Sequence, residues 1–178
     1  MPILDAATSH LVLIDLQARL MPAIDGGAGV AARAGKLLAG ARIMGVPRSF
    51  TEQIPAKLGH TMADLAAQEG EEVLAKSRFD ACPETGLASR IAPGHSIVIA
   101  GCEAHVCVLQ TVLGLLDAGR EVVVVADAVG SRAPDNHAAA LARMTRAGAE
   151  IVTTEMVLFE WMGGADHPAF REVIALIK

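Results

Sequence analysis

Asp15, Lys76 and Cys107 each stand at or just past the end of a short apolar run: LVLIDLQ around Asp15, EEVLAKSRF around Lys76, and SIVIAGCEAHVCV leading to Cys107. A thiol becomes a strong nucleophile once a neighbouring base takes its proton, and a carboxylate that has taken it can return it to a departing amine. An ammonium beside the two holds the acid in place and favours negative charge on sulfur. If the three runs are strands of one parallel sheet, the groups meet along the edge where open α/β folds place their active sites. Each residue also has an ordinary reading alone: Cys107 as a buried apolar side chain, Asp15 as a helix cap or turn residue, Lys76 as a solvated cation. Convergence is what makes them candidates for catalysis.

Cys107 follows its strand across the loop Gly101-Cys102-Glu103-Ala104-His105-Val106, near the start of the next helix. Backbone amides and the positive end of a helix dipole there favour a thiolate, and comparable placements lower a thiol pKa from ~8.5 into a range of roughly 3.5–7.5. The same amides can hold a developing oxyanion, a contribution of ~3–4 kcal/mol where one such donor has been removed. A carboxylate such as Asp15, ending an apolar central strand, is costly to bury unless it is paired or working.

The elements that must position these residues alternate along the chain. Strands are expected at Leu11 to Gln17, Val46 to Gln53, Val73 to Lys76, Ser96 to Ala100, Glu121 to Ala128 and Glu150 to Thr153. The four consecutive Val residues of EVVVVADA are the least ambiguous of these. Helices are expected at Gly29 to Gly45, Thr61 to Gln68, Pro83 to Ile91, Val106 to Ala118, Asn136 to Ala147, Val157 to Trp161 and His167 to Ile177. Six strands separated by helices predict an α/β, three-layer, Rossmann-like fold, with a mostly parallel sheet in the order 3-2-1-4-5-6 and helices on both faces. In that order the crevice opens between strands 1 and 4, which carry Asp15 and Cys107.

The chain has 178 residues, 52% hydrophobic and 20% charged, which suits one globular domain spanning 1–178 and argues against disorder. Its net charge of −5 gives no reason to expect nucleic acid or an anionic membrane as partner. Three Cys without regular spacing do not make a disulfide framework, and no secretory signal is visible, so a soluble protein of the reducing cytoplasm is expected.

Two other readings compete. Gly27-Ala28-Gly29-Val30-Ala31-Ala32 matches the dinucleotide fingerprint, with Glu52 at roughly the right later position, which would suit an NAD(P)-dependent oxidoreductase. That fingerprint needs its first Gly in the turn directly after strand 1, and here ARLMPAIDG intervenes. The other is a thiol-redox or catalytically silent interaction protein; Cys102 and Cys107 are not a C-x-x-C pair, and Cys82 is distant in sequence.

As a set, the motifs resemble the isochorismatase-like cysteine hydrolases, over nearly the whole chain. Asp15-Leu16-Gln17 is similar to the family's D-x-Q after strand 1, and Lys76 stands where its catalytic Lys precedes a Ser and an aromatic, here Ser77 and Phe79. GCEAHVCV (Gly101 to Val108) resembles the glycine-to-nucleophile loop, and ADAVGSR and LARMTRAGAEIVTTEMVLFEWM resemble the segments that follow. The loop together with the ending HPAFREVIALIK is most similar to the isochorismatase domain-containing protein subgroup.

The resemblance implies a triad of Asp15, Lys76 and Cys107 and a non-proline cis peptide between Cys102 and Glu103. It also implies an oxyanion hole from the amides of Glu103 and Cys107. Gln17, Leu20, Gln53 and Phe79 match family positions near the substrate pocket, and a homo-oligomer is implied. Nicotinamidases of the family carry a D-x-H element and further His ligands after strand 2, where this chain reads SFTEQIPAKLGHTM with only His60. One His is not a metal site, so a metal-free site without organic cofactor is expected. True isochorismatases lack the nucleophilic Cys, which this chain keeps as Cys107. The activity implied is hydrolysis of a small-molecule amide-type C–N bond through a Cys thioester.

Overall fold

The computed structural model describes residues 3–178. Six strands, β1 (Ser9–Ile14), β2 (Arg48–Gln53), β3 (Glu72–Lys76), β4 (Ser96–Cys102), β5 (Val122–Gly130) and β6 (Glu150–Val152), form one sheet in the order β3-β2-β1-β4-β5-β6. Every pair is parallel. The helices are α1 (Gly27–Ile43), α2 (Pro55–Leu58), α3 (Ala81–Thr85), α4 (Leu87–Arg90), α5 (Leu109–Asp117), α6 (Pro134–Ala147), α7 (Thr154–Met162) and α8 (Phe170–Ile177).

Strand side chains alternate between faces, and the two faces bury two separate cores. Leu11, Leu13, Val98, Ala100, Val123 and Val125 pack with Leu37 and Leu38 of α1, Val157 and Leu158 of α7 and Val173 of α8. On the other face Val12, Ile14, Ile97, Ile99, Val122 and Val124 pack with Leu87 of α4, Val112 and Leu115 of α5 and Met144 of α6. Because both faces are covered, the central strands read as unbroken apolar runs instead of alternating ones. The three-layer Rossmann-like expectation is met, with an all-parallel sheet where a mostly parallel one was expected.

Two helix expectations need correction. Thr61 to Gln68 contains only a single 3₁₀ turn at Ala63–Leu65. The backbone is extended on either side of that turn, at Met62 (ψ 140°) and Ala66 (ψ 142°), and Thr61 pairs with Gln17 in an antiparallel bridge, so the segment does not run as one helix. The helix expected from Val106 begins instead as a wide π-helical turn over Ala104–Val108, with α5 starting at Leu109. Among the described residues no helix is long and apolar enough to cross a membrane.

Candidate active site

Adjacent strand ends set the spacing of the site. β1 ends at Ile14, which is in register with Thr51 of β2 and Gly101 of β4, while Gln53 of β2 is in register with Lys76 of β3. Asp15, one residue past β1, takes a left-handed backbone (φ 51°) that few non-glycine residues adopt. Gly101 is needed for closeness: at φ 135°, a Cβ there would lie 2.0 Å from the Ile14 carbonyl oxygen. β4 can therefore run tight against β1 and deliver the nucleophile loop beside Asp15.

Asp15 and Lys76 form an ion pair with both side chains sealed from solvent (0% exposed each), Lys76 Nζ lying 2.7 Å from Asp15 Oδ2. Lys76 arises two strands away, roughly 9–10 Å across the sheet, so a long side chain is required to reach. Its ammonium has three protons, and three acceptors surround it: Asp15 Oδ2, Gln53 Oε1 at 2.7 Å and Arg78 O at 3.3 Å. The other carboxylate oxygen of Asp15 accepts from the Thr51 hydroxyl at 2.6 Å. Thr51 belongs to this constellation and the sequence reading missed it; SFTEQ reads simply as a strand segment, and nothing local marks its hydroxyl.

Cys107 lies close enough to Asp15 and Lys76 for both charges to act on its thiol, which is pushed up to about 12. Burial is the largest cause, the Asp15 charge adds to it, and the Lys76 charge opposes both. Burial and the Asp15 charge thus work against the thiolate that the helix start was expected to favour. Cys82 and Cys102 are also raised, to about 12, chiefly by burial, and all three cysteines are free.

The Cys102–Glu103 peptide is cis. Beyond it the Glu103 carbonyl accepts from the amides of Val106 (3.0 Å) and Val108 (3.2 Å), bracketing Cys107. The buried Glu103 carboxylate accepts from the Arg132 amide (2.8 Å), Nε (3.0 Å to Oε2) and Nη2. Burial acts to raise the Glu103 carboxyl, but these bonds and the Arg132 charge outweigh it and hold it below its ordinary value. His105 points away from the sulfur, its Nδ1 2.9 Å from Ser131 Oγ.

A cavity of about 310 Å³ opens over this constellation, lined by Asp15, Leu20, Gln53, Leu58, Phe79, Glu103, Val106, Cys107 and Arg132. Leu20, Gln53 and Phe79 thus line it as expected positions would, whereas Gln17 does not. Gln17 is fully buried, its Oε1 accepting from the Gln53 amide (2.8 Å) and its Nε2 donating to Gly59 O (2.6 Å) and Gln53 O (3.1 Å). Through these backbone partners it ties the segment after β1 to the end of β2 and to the 54–62 loop.

The dinucleotide fingerprint has no matching geometry. β1 ends at Ile14, while α1 begins only at Gly27, after a separate 3₁₀ turn at Met21–Ala23. Glu52, the would-be ribose acid, is committed to Thr61 and to His60 Nδ1 (3.0 Å). Among the described residues no group of three or more His, Cys, Asp or Glu side chains is arranged to hold a metal ion.

Comparison with known proteins places this architecture. A family model described as the isochorismatase domain matches residues 9–156. Isochorismatase domain-containing protein 1 of Danio rerio is 38% identical over 177 residues, covering 98% of this chain; the chain in turn spans 62% of that relative's length. A structure of the MAR1 ribonuclease from Caenorhabditis elegans superposes with a TM-score of 0.92 at 36% identity, over 99% of this chain and 92% of that one. Two YcaC structures are each 25% identical. The Escherichia coli protein, described as an octameric hydrolase of unknown specificity, has a TM-score of 0.87 over 99% of this chain and 88% of its own. The Pseudomonas aeruginosa protein, with hexane-2,5-diol and covalent acrylamide, has a TM-score of 0.89 over 97% and 90%. With the parallel sheet, the strand-end constellation and these matches together, the chain belongs to the isochorismatase family.

Proposed function

We propose that the chain is a metal-independent cysteine hydrolase acting on a small molecule at an amide-type C–N bond. The observation that carries this reading is that Asp15 and Cys107 line one cavity of about 310 Å³, with the buried Lys76 paired to Asp15 behind its wall. Asp15 takes the Cys107 proton as sulfur attacks the carbonyl carbon. The amides of Glu103 and Cys107 hold the oxyanion. Collapse breaks the C–N bond, and Asp15 protonates the departing amine, leaving a thioester. Water, giving its proton to Asp15, then attacks the thioester carbon; the acid departs and sulfur regains its proton. Lys76, with all three donors engaged, keeps the carboxylate oriented. No electrons are gained or lost, so the sequence of steps needs no redox cofactor.

The covalent acrylamide of the P. aeruginosa YcaC structure supports a reactive group reachable by a small amide. The ribonuclease name of the C. elegans relative favours a second reading, cleavage of RNA. Against it stand the net charge of −5 and a site whose two cations are both paired with carboxylates. A homo-oligomer is supported by exposed Met156 and Phe159 on α7 and by the octameric E. coli YcaC.

The test is the rate of Cys107 alkylation by iodoacetamide against pH, with adduct sites located by mass spectrometry. An unassisted thiol reacts tenfold faster per pH unit below its pKa; with Asp15 as base the rate is nearly flat between pH 6 and 8. Asp15→Asn removes both the base and a charge that holds the thiol up, so its signature is the slope: the rate should become steeply pH-dependent below the thiol's pKa. Equal rates and slopes in wild type and Asp15→Asn would refute the mechanism, and degradation of a generic RNA that survives Cys107→Ser would favour the ribonuclease reading.

A further inference from the structure

The buried polar side chains that face the cavity are already committed to one another. Gln53 Nε2 donates to Ser77 O (2.6 Å) while its Oε1 accepts from Lys76. Both oxygens of Asp15 accept, from Thr51 and Lys76, and the Glu103 carboxylate is filled by Arg132. The charges cancel in two pairs, Asp15 with Lys76 and Glu103 with Arg132. Apart from the outer part of the Arg132 guanidinium, whose charge Glu103 neutralises, what remains for a ligand is hydrocarbon: Leu20, Leu58, Phe79 and Val106. Phe79 is 50% exposed, an aromatic face left open at the mouth.

From this we propose the substrate class: uncharged, compact acyl compounds with a short apolar acyl group, such as simple aliphatic amides. The proposal rests on the hydrolase reading for the reaction, but the ligand preference follows from the lining alone. About 310 Å³ lies at the small end of ligand cavities, which run from roughly 300 to 1,000 Å³. Each methylene laid against Leu20, Leu58 or Val106 should improve binding roughly fourfold until the cavity is full. A hydroxyl or carboxylate on the acyl chain must shed water without gaining a free side-chain partner among the buried ones, a loss on the order of tenfold or more.

Binding is read by ligand-observed NMR on the full chain, with acetamide, propionamide, butyramide, 4-hydroxybutyramide and succinamate as probes. Acylation of Cys107 is read separately, by mass spectrometry after exposure to p-nitrophenyl butyrate. The expected result is rising affinity from acetamide to butyramide, about tenfold weaker binding of 4-hydroxybutyramide, weaker still of succinamate, and loss of butyramide binding in Leu58→Asp. Tighter binding of succinamate than of butyramide, or no dependence on chain length, overturns the substrate class even if Cys107 is acylated. Binding in the expected order without any acylation supports the ligand class and removes the hydrolase reading.

Discussion

Replacing Lys76 by Met tests whether the buried ion pair is a mutually dependent unit. Both side chains are fully sealed from solvent, and the ammonium also satisfies Gln53 Oε1 and Arg78 O. Lys76→Met keeps the length and packing of the stem but leaves the Asp15 carboxylate charged, buried and bonded only to Thr51. Breaking such a pair from one side costs about 3–5 kcal/mol, and stranding the two carbonyl-type acceptors adds to it. At ~2–4 °C per kcal/mol for a chain of this size, the midpoint of thermal unfolding should fall by roughly 6–20 °C. Asp15→Asn leaves the ammonium uncompensated and is destabilising too. In Asp15→Asn/Lys76→Met neither charge remains, so the double variant should lose less than the sum of the two single losses. The assay is urea unfolding at pH 7 for all four proteins, read as a double-mutant cycle. A loss below ~1 kcal/mol for Lys76→Met, or strict additivity in the cycle, would show that the charges do not depend on each other.

Two further outcomes are expected. Thr51→Val keeps the shape of the side chain but removes the hydroxyl bonded to Asp15 Oδ1; it should cost about 1.5–3 kcal/mol of stability and slow Cys107 alkylation by on the order of tenfold, with Thr51→Ser recovering both. Equal alkylation rates in the Val and Ser variants would restrict Thr51 to a packing role. Glu71 binds Arg42 (2.9 and 2.7 Å), the Gln68 amide (2.9 Å) and Arg48, and Arg42 foremost brings its carboxyl down to about 2 against the opposition of burial. Because the folded value lies below the ordinary one of 4.5, its contribution is present above that pH and disappears as pH falls towards 2. The contribution is at most ~3 kcal/mol at neutral pH. Glu71→Gln should therefore be less stable than wild type at pH 7, with the gap narrowing by about 2 kcal/mol between pH 5 and 3; a gap that stays constant in urea titrations would contradict this.

The fold was legible because both faces of the sheet are covered. Runs such as SIVIA and EVVVV are apolar throughout, and their spacing by helix-length segments leaves few topologies. The acid, ammonium and thiol were legible because each interrupts or ends such a run. What escaped reading depends on contacts across strands. Thr51 gains its role only when β2 registers beside Ile14, and Gln17 looks like a pocket residue until the return of Gly59 gives its amide a partner. The state of the Cys107 proton could not be read from a helix start, since burial and Asp15 act on it as well. The segment after His60 fails as a helix for a similar reason: Thr61 is drawn into a bridge with Gln17, a partner far away in sequence.

The site divides its work between two kinds of backbone. Asp15, Lys76 and the Cys107 loop hang from the ends of strands whose offsets are locked by the ladder, whereas Leu20, Leu58 and Phe79 hang from connecting segments. Substitutions or small insertions in those connections can recut the cavity wall while the reacting groups keep their separations. One scaffold of this kind can therefore be retuned from one ligand to another by exchanging a few wall side chains, with no change to the sheet.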